Sequence, residues 1–166
     1  MIKVCGIDGC NQLISKPNKK TSTQYQIISP SVDIKLKPLL SFSHHLDHTA
    51  LITQEGLLQV IGDNRDCRIS GSLSKKIFKK LTNLPLKDDS GHPLYPISVV
   101  CGQFYTLLLV STTPTLNDRK LAFFSEKTKS KTPIIASTGL HRPVSLFGGR
   151  STAAAILVII TIVRHL

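Results

Sequence analysis

Short apolar runs separated by glycine-bearing turns dominate this chain, and they predict strands rather than helices. Residues 39–42, 48–53 and 57–61 are three such runs, with the turn Gln54-Glu55-Gly56 between the last two. A glycine near the end of a short loop between apolar runs is a hairpin signal. Gly62-Asp63-Asn64 closes the third run. Gly and Asn tolerate positive φ, and Asp and Asn side chains cap turns. The plan recurs at 97–101, 105–110 and 120–124, with a turn through 115–118, and begins again at 143–147 and 152–163. Leu107-Leu108-Leu109-Val110 and Ala153-Ala154-Ala155-Ile156 do not alternate with polar residues, as expected of strands covered on both faces. Helical repeats need apolar spacing of three and four over about ten positions, and no stretch has it.

Polar connectors at 15–31, 71–96 and 126–142 hold most of the Pro, Lys and Ser. Within the second, Ser74-Lys75-Lys76-Ile77-Phe78-Lys79-Lys80-Leu81 predicts a turn or two of helix. Lys75, Lys76, Lys79 and Lys80 would then lie on one side of it.

The runs also repeat as text. Gly6-Ile7-Asp8-Gly9-Cys10-Asn11-Gln12-Leu13 aligns without gaps to Gly62-Asp63-Asn64-Arg65-Asp66-Cys67-Arg68-Ile69, 56 residues on. His45-Leu46-Asp47-His48-Thr49-Ala50-Leu51-Ile52 is echoed 57 residues later from Gly102, and again 46 residues after that from Gly148. Self-similarity near 50 residues marks a solenoid or a propeller. Strand pairs joined by tight turns, recurring with long connectors, describe propeller blades. The expected fold is all-β, a partial β-propeller of about three blades of antiparallel four-stranded sheet. It forms a single repeat domain over 1–166: residues 1–15 end one blade, 39–70 and 96–125 are the second and third repeats, and 143–163 start a fourth.

Composition narrows the class. Of 166 residues 41% are hydrophobic, which argues against disorder. Aromatics are 5% and Trp is absent, so the core is built from Leu, Ile and Val. The net charge of +11 suggests a polyanionic partner, whether nucleic acid, an acidic protein face or anionic lipid. Scattered lysines also keep exposed strand edges soluble, and both readings stay open. Cys10 and Cys67 fall one position apart in the repeat register and Cys101 precedes Gly102, so these read as packing residues rather than a disulfide framework. With Met1-Ile2-Lys3-Val4 running straight into a strand, the expected setting is intracellular, cytoplasm or nucleus. Residues 153–163 are apolar but fall short of the roughly 20 needed to span a bilayer. Their β-branched content predicts a buried strand and no membrane contact.

Ile61-Gly62-Asp63-Asn64, the preceding His45–Gly56 segment, and Gly6 with Asn11-Gln12-Leu13 resemble the repeat of the regulator of chromosome condensation family. That repeat reads as an apolar pair, Gly-x-x-His, a Leu-Ala-Leu-Thr-like strand, a Gly turn, aromatic-Gly-Asp-Asn and Gly-Gln-Leu-Gly. Here Ile61 stands for the aromatic, His45 for the first Gly, and Phe124-Ser125-Glu126 for a later aromatic-Gly-Asp. The resemblance covers about two thirds of the chain and implies a propeller of seven blades, of which 166 residues supply about three. The expectation is of two complementary exposed edges, in a subunit pairing end to end or a fragment of a longer protein.

Candidate chemistry is sparse. His44-His45-x-x-His48 invites a metal, but on one strand His45 would point away from the other two, and no Cys or carboxylate cluster completes a ligand set. Cys5 and Cys10 have no second pair for a zinc knuckle, and no nucleophile elbow, phosphate loop or dinucleotide fingerprint occurs. Neither metal nor cofactor is expected, and no enzymatic activity. The expected function is a protein-interaction scaffold. The family resemblance implies a guanine-nucleotide-exchange role on a small GTPase, or chromatin association. The alternative is a basic nucleic-acid-binding protein using Lys75, Lys76, Lys79 and Lys80.

Overall fold

The computed structural model describes residues 3–7, 21–27, 38–65, 67–70, 76–125, 132–136, 141–148 and 153–159, and every regular element among them is a strand. β1 (Lys3–Ile7) pairs with β2 (Thr21–Ile27). β3 (Leu39–His45), β4 (His48–Thr53), β5 (Leu58–Asp63) and β6 (Ile77–Asn83) form a four-stranded antiparallel sheet in that order. β7 (Tyr95–Cys101), β8 (Tyr105–Ser111), β9 (Arg119–Ser125) and β10 (Ile134–Ala136) form a second. β11 (His141–Gly148) pairs with β12 (Ala153–Ile159). The chain is a partial propeller: β3, β7 and β11 are the first strands of successive blades, and β7 packs against both of the others.

The connectors hold more structure than their composition suggests. Each contributes an outermost strand, β2, β6 or β10. The helix expected over residues 74–81 is strand from Ile77 onward, pairing Ile77 with Asp63 and Phe78 with Gly62. β5 offers an open hydrogen-bonding edge, and Phe78 is buried at 4% exposure beside it. Satisfying that edge outweighs the helix propensity of Lys and Leu. The histidine segment also differs from a single strand. Leu46 and Asp47 form a tight turn, and His45 faces His48 across a hairpin.

A repeated irregularity ties the blades together. Register shifts fall between Leu39 and Ser41, between Pro96 and Ser98, and between Pro143 and Ser145, so each first strand carries the same bulge one residue before a serine. β1 and β5 likewise shift just before Gly6 and Gly62.

This register fixes which side chains face which blade. Cross-strand partners share a face, so Ser41 and Ser43 point the same way as Ile52 and Ala50, toward the second blade. Ala50, Ile52, Leu58 and Val60 meet Val99, Leu108 and Val110 in one core. Each of these Val, Leu and Ile side chains contributes roughly 1.5–3 kcal/mol on burial. β4 is buried at every position, and Leu108 and Val110 are fully enclosed in β8. Along the inner edge, the Val99 amide donates to Ser41 Oγ (3.1 Å) and the Cys101 amide to Ser43 Oγ (2.9 Å). At the next junction Val100 takes the place of Ser43 and lies where a Cβ on Gly148 would be, 2.0 Å from Val100 Cγ1.

Candidate interaction surface at the blade junction

The most organised surface lies where the β3–β4 turn, the loop after β5 and the β7–β8 turn converge. Gly62 brings β5 down onto the first of these. Its φ is +113°, and a Cβ there would sit 2.3 Å from the Asp47 carbonyl oxygen, so no side chain fits. The Asp63 amide donates to that same carbonyl at 2.7 Å.

Asn64 then builds the loop. Its Oδ1 accepts from the amides of Ile69 and Ser70, both at 2.9 Å, and its Nδ2 donates to Ser70 Oγ at 3.2 Å. Its own amide donates to the Lys76 carbonyl, and its carbonyl accepts from Cys67. This supports Cys67 at φ 54°, a conformation uncommon for residues with a side chain. The Gly-Asp-Asn text is therefore a close approach followed by a loop organiser. Asp63, itself buried, accepts from Arg65, whose side chain is largely exposed.

The loop delivers Arg68. Its side chain is 5% exposed, with Nη1 3.0 Å from Asp47 Oδ2 and the guanidinium carbon 5.5 Å from the centre of the Phe104 ring. That distance is within cation–π reach. Leu46 and Phe104 flank this pair with 56% and 46% of their surface exposed. Beneath it, the Arg68 carbonyl accepts from the Thr106 hydroxyl. The rim thus presents two apolar side chains around a fixed carboxylate–guanidinium pair.

Burial, and then the Arg68 charge, lower the His48 pKa to about 3, and burial pushes the Cys101 thiol up to about 12. The imidazole is therefore a neutral structural group and the thiol is not a nucleophile. His44 Nδ1 bonds Thr49 Oγ1 at 2.9 Å and His48 Nε2 bonds Thr106. No group of three or more His, Cys, Asp or Glu positioned for a metal occurs among the described residues. At the opposite end of the blades a largely apolar cleft of about 450 Å³ lies between Leu57, Leu84, Pro85 and Pro93.

The lysines singled out by sequence are not gathered on one side. Lys75 lies outside the described residues, as does Cys10. Lys76 is exposed and its carbonyl meets Asn64, beside the junction loop. Lys79 and Lys80 are exposed on β6, where successive side chains take opposite faces. Sequence reasoning missed Arg68 and Thr106. The signal for Arg68 was a charge flanked by Cys67 and Ile69, at the place of Gln12 in the aligned copy. No helix among the described residues is long and apolar enough to cross a membrane.

No protein-family model matches the chain, and no curated protein sequence matches it. Solved structures do. Human WBSCR16 superposes with a TM-score of 0.69 at 12% identity, covering 92% of this chain and 39% of its own. Prp20p from Saccharomyces cerevisiae, which binds Gsp1p and histones, gives 0.70 at 14% identity over 93% of this chain and 38% of its own. The structure of yeast RCC1 (Prp20) bound to Kap60 gives 0.66 at 16%, covering 94% and 37%. The chain spans less than two fifths of each. Its sheets, bulges and glycine contacts therefore make up part of a propeller of the regulator of chromosome condensation type.

Proposed function

We propose that the chain is a non-catalytic intracellular docking scaffold that takes a protein partner on the junction rim. One observation carries this reading: Leu46 and Phe104, from the turns of two adjacent blades, stand exposed around a buried guanidinium and its carboxylate. Apolar and aromatic anchors beside a preorganised charge suit the centre of a protein interface. A small GTPase or a chromatin protein is the favoured partner. The repeat resemblance supports this, as does the binding of Gsp1p and histones by Prp20p, a protein of like fold. The test is calorimetric titration of the chain against a Ran-type GTPase, with and without nucleotide, and against core histones. Phe104→Ala and Leu46→Asp should each weaken binding by about tenfold or more. Absence of binding to both, or affinity unchanged in both variants, overturns the reading.

A second reading, nucleic-acid binding, rests on the net charge of +11 and on Lys76, Lys79 and Lys80, all exposed beside or along β6, with Lys75 preceding them. It requires binding to duplex DNA or RNA that weakens steeply with salt and falls in Lys79→Glu/Lys80→Glu.

A further inference from the structure

The first blade carries an apolar strip that stays exposed among the described residues. On β3, Phe42 is 46% exposed and His44 is exposed, both pointing away from the second blade, and Leu40 at the bulge is 53% exposed. Aligning the bulge serines Ser41, Ser98 and Ser145 sets Phe42 level with Val99 and Leu146, which are 2% and 8% exposed. At those two positions the preceding blade supplies the cover.

The face is open only in part. Leu51 and Ile61 share it, through the pairs Phe42–Leu51 and Thr49–Ile61, yet each is 1% exposed. What is uncovered is the first strand, β3, since β4 beside it is buried throughout. The complementary surface occurs on the same chain. β11–β12 is a first-and-second strand pair, and its outward side carries Ser145 and Phe147, the latter 54% exposed. Ser145 is the counterpart of Ser41, whose hydroxyl receives the Val99 amide.

We propose that β11–β12 of a second copy of this chain docks on the Leu40–Phe42–His44 face, as each blade docks on the next within the chain. Ser145 Oγ of one copy would then accept the Phe42 amide of the other, and the two phenyl groups would be removed from water. The contact is head-to-tail: each junction uses Phe42 from one copy and Phe147 from the other.

That asymmetry gives the test. Light scattering of the purified chain should show a mass of at least twice 18.2 kDa at micromolar concentration. Phe42→Asp and Phe147→Asp, each at an exposed position, should keep the wild-type circular dichroism and both become monomers. Mixed one to one, they should form a dimer and nothing larger, because one intact Phe42 face meets one intact Phe147 face. A monomeric wild-type chain overturns the proposal, leaving the face to some other occupant. So does a mixture that stays monomeric, or a single variant that still assembles.

Discussion

His48 and Thr106, 58 residues apart in sequence, share a buried hydrogen bond of 3.0 Å between the first two blades. The Thr106 hydroxyl gives its single proton to the Arg68 carbonyl, so it can only accept from His48. The imidazole is thereby held with its proton on Nε2, and one threonine joins a strand, a loop and the next blade. His48→Ala removes this link and opens a cavity. It should cost about 2–4 kcal/mol, read as a shift in the urea midpoint, with Thr106 still bonded to Arg68.

Acid should loosen the same joint. The folded-state pKa of His48 is lowered to about 3, by burial first and the Arg68 charge second, with His45 and His44 adding and Asp63 opposing. The unfolded chain, titrating near 6.5, binds the proton first. Stability is therefore complete above pH 6.5 and falls as pH drops from there toward 3. The slope from this group is at most about 1.4 kcal/mol per pH unit. His48→Gln should flatten that dependence in chemical denaturation series from pH 7.5 to 4.5; an unchanged slope would assign it elsewhere.

Gly62 and Gly56 should respond differently. Gly62→Ala drives a Cβ into the Asp47 carbonyl at positive φ and should cost about 3 kcal/mol or more, enough to abolish cooperative melting. Gly56→Ala, at φ +77° but with nothing within 4 Å of the new Cβ, should cost only about 1–2 kcal/mol.

Asn64→Ala removes the acceptor shared by the Ile69 and Ser70 amides. Hydrogen exchange at those two amides should accelerate at least tenfold while that of β8 is unchanged. Partner binding through Arg68 should weaken with it, because the loop that presents the guanidinium loses its organiser.

Cys101 should resist labelling. Burial pushes its thiol up to about 12, and its Sγ lies 3.5 Å from the Ser43 carbonyl. Peptide mapping after iodoacetamide treatment at pH 8 should find it unmodified in the folded chain and modified in urea. Rapid native labelling would mean that the first two blades part readily.

Most of the fold could be read in the residues, for identifiable reasons. The hairpins around Gly56 and within 105–124 declared themselves because the flanking runs are mainly apolar and bury Ala50, Leu58, Leu108 and Phe124. The outermost strands did not. β6 has one buried anchor, Phe78, among lysines, and its strand character comes from the edge of β5, a partner distant in sequence. The rim was half legible. Gly62-Asp63-Asn64 announced a turn, but only the close approach of Asp47 explains the glycine, and only the folded loop turns Arg68 under Phe104.

Ser41 and Ser43 have a consequence beyond holding two blades together. An inner strand such as β7 ends its sheet with bare amides, a template on which foreign chains can grow into cross-β fibrils. Two hydroxyls from a neighbouring blade occupy those amides at 3.1 and 2.9 Å. The molecule thus guards against aggregation with side chains as small as serine, at the place where its own architecture is most inviting to misassembly.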